Sequence, residues 1–335
     1  MKYRRWIRSL FCLIVSAVLL SGCSGAKALA CAEQMENTLS QQAGVKAGTL
    51  LGEQEWMCAG NSVSDWMAMG LAMGGVEESY DAYLTALKAY VEKCYAEKDC
   101  LDAVKATEYH RIALTVLALG GDPTHFGKDS KGADIDLIAD GTYNFAGELG
   151  KQGLNGWIWA LITLDAGGYE VPEDAKYSRE TIKDNILAAQ EDNGGFGLSA
   201  GSADVDMTAM ALQALAPYQS DCDQQIQYAL AYLAGEMTDQ CSFVSYGAEN
   251  VESTAQVMIA LCALHIDPAE DSRFCRGEQT LLTGLERFCL HDGTYTHTLE
   301  DPQSDMMASE QALLAQIAYN RLQQGSGRLY DLAAQ

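Results

Sequence analysis

Asp204 and Asp206 stand one residue apart at the head of an apolar run, Asp204-Val205-Asp206-Met207-Thr208-Ala209, just after a glycine-aromatic turn, Gly194-Gly195-Phe196-Gly197. Two carboxyls this close could do acid chemistry. Held neutral in an apolar cavity by its neighbour and by hydrogen bonds, one of them could serve as an unusually strong acid, able to protonate an alkene. A plainer use is favoured, because carboxylates in the first turn of a helix accept its free N–H bonds and suit its dipole. Trp66, Glu108, Tyr109, Trp157, Phe196, Tyr246, Glu252 and Asp305 also lie at or near the starts of apolar runs. If those starts converge, they make an aromatic mouth with acidic groups, suited to an apolar, planar or cationic small ligand.

The elements that would position them recur along the chain. Apolar stretches that mostly stop at Gly, Pro or Asp lie near 63–74, 106–119, 155–166, 205–216, 252–264 and 306–320. They return every 45 to 55 residues, roughly the period of stacked supersecondary units. Between them run more polar amphipathic stretches, near 77–97, 132–149, 178–190, 221–235 and 273–290, and Ala26–Gln42 supplies a sixth. A helix that is apolar nearly all round is buried, whereas one with a polar stripe keeps a solvated face. The pattern therefore predicts an all-α protein, an α/α toroid of the α6/α6 double-barrel type, with six inner and six outer helices. An open α-solenoid is the alternative, and pairing of the chain ends would favour closure.

The first residues bear on location. Lys2, Arg4, Arg5 and Arg8 precede an apolar run from Leu10 to Leu20, too short for an ordinary span, and small residues follow. Leu20-Ser21-Gly22-Cys23 resembles a bacterial lipobox, which implies a signal peptide over 1–22 and lipidation at Cys23. The mature chain, 23–335, is then expected as a single domain on the extracellular face of the cytoplasmic membrane, held through its N-terminal lipid anchor. The whole chain has a net charge of −24, and removing a basic leader makes it more acidic still. Such a surface repels phosphate backbones, so nucleic acid is not expected as a partner.

Eleven cysteines are present, of which Cys12 leaves with the leader and Cys23 carries the lipid. In an exported chain, Cys94–Cys100, Cys222–Cys241, Cys275–Cys289 and Cys31–Cys58 are expected disulfides, with Cys262 a buried free thiol.

Over roughly residues 50–325, the inner-helix segments and the Gly-Gly-Phe-Gly turn resemble the α/α-toroid superfamily of terpenoid cyclases and protein prenyltransferase β-subunits. Asp204-Val205-Asp206-Met207-Thr208-Ala209 and the C-terminal Ala308–Leu332 also resemble prenyltransferase-like repeat lipoproteins of Gram-positive bacteria. In the cyclases the first motif reads Asp-x-Asp-Asp-Thr-Ala and its middle carboxylic acid protonates an alkene. The resemblance gives that place to Asp206, with Met207 replacing the last aspartate. Gln190, ahead of the turn, is similar to the glutamine that braces glutamine-aromatic turns in those enzymes. Asp239-Gln240-Cys241 is similar to the stretch that supplies two zinc ligands in prenyltransferase β-subunits. The third ligand there is a histidine near the next inner helix, where this chain reads Ser304-Asp305-Met306, with His291 and His297 nearby. Corrinoid carriers share the toroid, but they clamp their ligand against a second, β-rich domain. The expected role is a non-catalytic binding module for a small ligand or a protein partner, without a cofactor. The alternative is a cyclase-like or prenyltransferase-like enzyme acting through Asp206 or through zinc at Asp239 and Cys241, and a corrinoid ligand is a further option.

Overall fold

A computed structural model describes residues 28–245 and 247–333, and there the chain is mostly helical. Six long helices alternate with shorter or more polar ones. The apolar set is α2 (Ser62–Met73), α4 (Ala106–Ala118), α6 (Leu154–Ala166), α8 (Val205–Leu215), α10 (Val251–Ala263) and α12 (Met306–Gln324). All six fall within a few residues of the predicted inner stretches. Each packs against the next in this series, and α12 also packs against α2. Close approach at that last contact depends on Gly70, where a Cβ would lie 3.0 Å from the Leu313 side chain.

The second set is α1 (28–43), α3 (Tyr80–Lys98), α5 (Leu137–Gly141), α7 (Arg179–Ala188), α9 (Gln219–Glu236) and α11 (Leu281–Glu286). On α3, Tyr83, Leu87, Val91 and Tyr95 are buried while Lys93 points outward, as a stripe at helical spacing requires. Helix α1 reaches the far end of the chain. Gln34 and Thr38 donate to the carbonyls of His291 and Asp292, at 3.3 and 2.6 Å.

Two expected outer helices are much shorter than predicted. Only Leu137–Gly141 of 132–149 is α-helical, because the glycines of this stretch end the run. Gly141 itself tolerates nothing larger, since a Cβ there would come within 2.3 Å of the Tyr109 Cβ. Of 273–290, Leu281–Glu286 is helical, and a hairpin pairing Cys275–Arg276 with Gln279–Thr280 replaces the first half. Its turn needs Gly277, which sits at φ +62°.

Three of the apolar helices share one entry device. Before α8, Phe196 pairs with Asp204; before α10, Phe243 pairs with Asn250; before α12, Tyr295 pairs with Asp305. The second member of each pair is extended and caps the helix, with Asp204, Asn250 and Asp305 accepting from Met207, Ser253 and Ala308 N–H. Four residues past each cap, a hydroxyl closes the unit. Thr208, Thr254 and Ser309 donate to the cap's carbonyl and accept from the N–H of the buried aromatic. This satisfies backbone groups that burial would otherwise leave without water.

None of the four expected disulfides is formed; the nine described cysteines are thiols. Some of them are turned to a nearby carbonyl. The Cys222 thiol donates to Tyr218 O at 3.2 Å, that of Cys275 to Ala269 O at 3.6 Å and that of Cys289 to Leu290 O at 3.5 Å. Cys241 is fully buried. Cys262 is a buried thiol within α10, as its apolar surroundings predict. Among the described residues, no helix is long and apolar enough to cross a membrane.

Candidate functional site

The starts of the six apolar helices do converge. A cavity of about 250 Å³ takes lining residues from every one of them: Ser62 and Trp66, Glu108 and Arg111, Asn155 and Trp159, Met210, Gln256, and Glu310 with Leu314. Tyr330, from the segment after α12, completes it. A second cavity of about 380 Å³ shares Met210, Gln256 and Gln311 with the first and adds Asp206, Glu252 and His297. The two are neighbouring lobes of one hollow.

Aromatic groups form one side. The Trp66 and Trp159 rings lie 5.3 Å apart at 46°, and Tyr330 meets Trp159 edge-on at 5.7 Å. Such faces favour flat or cationic groups. Gln256, which lines both lobes, donates to Gln311 at 3.1 Å and accepts from Gln213 at 2.9 Å, a neutral ladder linking α8, α10 and α12.

Charge in the first lobe is mostly tied up. Arg111 binds Asp65 at 2.9 Å and Glu108 at 2.8 Å, and donates to Gly60 O. Burial opposes the guanidinium's charge, but the two carboxylates outweigh it and hold its pKa above the usual value. Asp65 also accepts from the Tyr83 hydroxyl at 2.7 Å. Glu310 differs: it is 2% exposed, and its Oε2 has no hydrogen-bond partner among the described residues. Burial, followed by the nearby carboxylates of Glu252 and Asp305, pushes its pKa well above the carboxylate range. The sequence reasoning missed Glu310. Its signal was a lone acid in the apolar run Ala308–Ala318, on the face that a buried helix turns inward.

In the second lobe, burial raises the pKa of Asp206, against a hydrogen bond that Ser245 donates to its Oδ2 at 3.3 Å. Its Oδ1 has no partner among the described residues. Glu252 is likewise raised by burial, although His297 Nδ1 lies 2.8 Å from both its oxygens and works against the shift.

Of the residues singled out in the sequence, Trp66, Glu108, Asp206 and Glu252 line the hollow. Tyr109 does not; its ring is buried behind the helix, and its hydroxyl accepts from the N–H groups of Leu101 and Asp102. Trp157 faces outward, packed edge-on against Tyr177 at 5.3 Å, beside a separate groove near Gln190 and Leu198. Phe196, Asp204 and Asp305 belong to the helix-entry device described above. Tyr246 and Cys23 lie outside the described residues. Gln190 does brace its turn, donating to Gly194 O and to Gln225 O on α9.

Asp239 and Cys241 are not joined by a third ligand. Asp239 is exposed and Cys241 fully buried, while His297 is engaged with Glu252. Among the described residues no three His, Cys, Asp or Glu side chains are grouped to hold a metal ion.

The fold is that of a mostly helical α/α toroid like the prenyltransferase β-subunit. One solved structure it resembles is Candida albicans protein geranylgeranyltransferase-I complexed with GGPP. The two share 12% sequence identity and a TM-score of 0.56, over 87% of this chain and 91% of that one. No protein-family description matches the sequence, and neither does any curated protein.

Proposed function

We propose that this protein is a non-catalytic binding module that holds a planar, apolar or cationic small ligand in the hollow where its six apolar helices converge. We also propose that these helices close into the inner wall of an α6/α6 barrel, a reading supported by the contact of α12 with both α10 and α2. The observation that carries the binding reading is the lining itself. Two indoles and a tyrosine ring sit in one lobe beside buried acceptors without hydrogen-bond partners among the described residues. Native mass spectrometry of protein gently released from its own envelope tests it, with metal analysis on the same sample. A stoichiometric non-covalent mass is the expected result, and a bare polypeptide would shift the role to a surface partner.

A second reading rests on Asp206. It lines the hollow, and burial favours its protonated form, which suits an acid that protonates an alkene. That reading requires cyclised product from a polyprenyl substrate, lost in Asp206→Asn while ligand is retained.

Display outside the membrane on a lipid at Cys23 belongs to the same proposal and is supported by the basic, apolar and lipobox segments in order. Intact-mass analysis of the N-terminus should find a diacylated cysteine, and Cys23→Ser should abolish that mass.

A further inference from the structure

The first lobe contains two acceptors of the same kind. Glu310 Oε2 on α12 and Asn155 Oδ1 on α6 are both buried, both belong to residues lining the cavity, and neither has a donor among the described residues. An acceptor left unpaired away from water is costly, so a ligand that brings donors to it is selected over one that does not. The one guanidinium in the lobe is already shared between Asp65 and Glu108. One cation against two carboxylates leaves the lobe acidic before Glu310 is counted. The facing side, Trp66 and Trp159, presents ring faces that attract positive charge.

We propose that Glu310 and Asn155 form the subsite for a cation bearing N–H donors, a primary ammonium, amidinium or guanidinium group, whose flat or alkyl body lies against Trp66 and Trp159. This rests on the binding-module reading above and adds the chemical class of the ligand. A quaternary ammonium supplies charge but no donor, and a neutral arene supplies no charge.

Binding has a proton consequence. The titratable and charged groups around Glu310 are Glu252 on α10, Asp305 capping its own helix, Tyr330 from the tail, Glu108 and Arg111 on α4, and Asp65 on α2, bound to Arg111. Burial and the nearby carboxylates favour the protonated form of the empty site. A cation that docks there ionises it: the O–H bond breaks, the carboxylate pairs with the cation, and the proton passes to buffer. Affinity should therefore rise with pH up to the raised pKa of the free protein and level off above it.

The test is calorimetric titration of the full chain with three probes of one body: benzylammonium, benzyltrimethylammonium and benzyl alcohol. Benzylammonium should bind roughly tenfold tighter than the other two. Repeating the titration in buffers of different ionisation enthalpy should reveal net proton release on binding. Glu310→Gln should remove both the preference and the proton release and leave benzyl alcohol binding unchanged. Asn155→Leu, on a different helix, should weaken the same preference, with circular dichroism confirming that each variant is folded. Equal affinity for the three probes overturns the subsite while leaving the cavity reading standing. So does a preference that survives Glu310→Gln. If none of the three binds, both readings fall. The wild-type comparison alone decides the matter should a variant fail to fold.

Discussion

The first three apolar helices and the last three are built differently. α8, α10 and α12 each enter through a paired aromatic, an extended cap and a hydroxyl four residues on, whereas α2 has only the Asn61 side-chain cap and α4 and α6 begin at Lys105 and Gly153 without one. Between helices the contrast is electrostatic. α2 and α4 are tied by the buried Asp65–Arg111 pair with Tyr83 and Glu108, while α8, α10 and α12 are linked by a ladder of neutral amides. A charged network is sensitive to loss of any member, because the remaining charge stays buried. An amide ladder degrades gradually. The first half therefore concentrates its stability in a few residues, and the second spreads it over repeated small units. Beside that amide ladder, Glu310 Oε2 and Asp206 Oδ1 are buried carboxyl oxygens without a partner among the described residues, so neither ties one helix to another.

Breaking the first half should cost most. Asp65→Asn leaves Arg111 with Glu108 alone and the Tyr83 hydroxyl without its carboxylate, and should destabilise the fold by about 3 kcal/mol. Gln256→Leu, at the centre of the ladder, should cost less than half of that in the same urea denaturation series. A comparable loss in both would remove the contrast.

His110 sharpens it further. The ring is buried and hydrogen-bonds Gly141 O through Nε2 at 2.6 Å, and burial lowers its pKa from 6.5 to about 4. An unfolded chain thus takes up a proton at this position below pH 6.5, and the folded one only below about 4. Its contribution is complete above 6.5 and is lost as pH falls through that window, up to about 3 kcal/mol. Urea midpoints measured across the window should fall in the wild type and flatten in His110→Gln.

For the second half the matching variant is Thr254→Val. It strands the Phe243 N–H in the core while conserving volume, at a cost of about 1–3 kcal/mol. Faster hydrogen exchange at Phe243, with the α2–α4 amides unaffected, would localise the loss to one repeat unit.

What was legible in the sequence follows the same division. All six apolar helices were readable because burial on every side leaves an unbroken apolar run. The outer stretches 132–149 and 273–290 were read as too long, since Gly141, Gly147 and Gly277 interrupt patterns that otherwise keep an amphipathic period. Trp66, Glu108, Asp206 and Glu252 were recovered at the hollow because a helix start near the mouth is visible as a sequence position. Tyr109 and Trp157 were assigned to it for the same reason and lie elsewhere, because one position along a helix rotates a side chain by about a quarter-turn or more. Phe196, Asp204 and Asp305 carry the residue types of a site and do the work of a scaffold. Only the pairing of Phe196 with Asp204 across a hairpin, invisible in spacing alone, separates the two uses.

The smallest effect makes the finest distinction, between neighbours two residues apart. Asp204 caps α8 through Met207 N–H at 2.8 Å, and Asp204→Ala should cost about 1 kcal/mol with ligand affinity unchanged. Asp206 caps nothing. Its carboxyl faces the second lobe, where burial raises its pKa and Ser245 supplies its one hydrogen bond, so Asp206→Asn keeps the shape and should leave stability within about 0.5 kcal/mol. The two variants should therefore separate in opposite directions, one in the urea midpoint and the other in calorimetric affinity for a ligand that reaches the second lobe. Were Asp206→Asn the more damaging to stability, its carboxyl would belong with Asp65 as a structural acid, and the second lobe would lose its claim to the site.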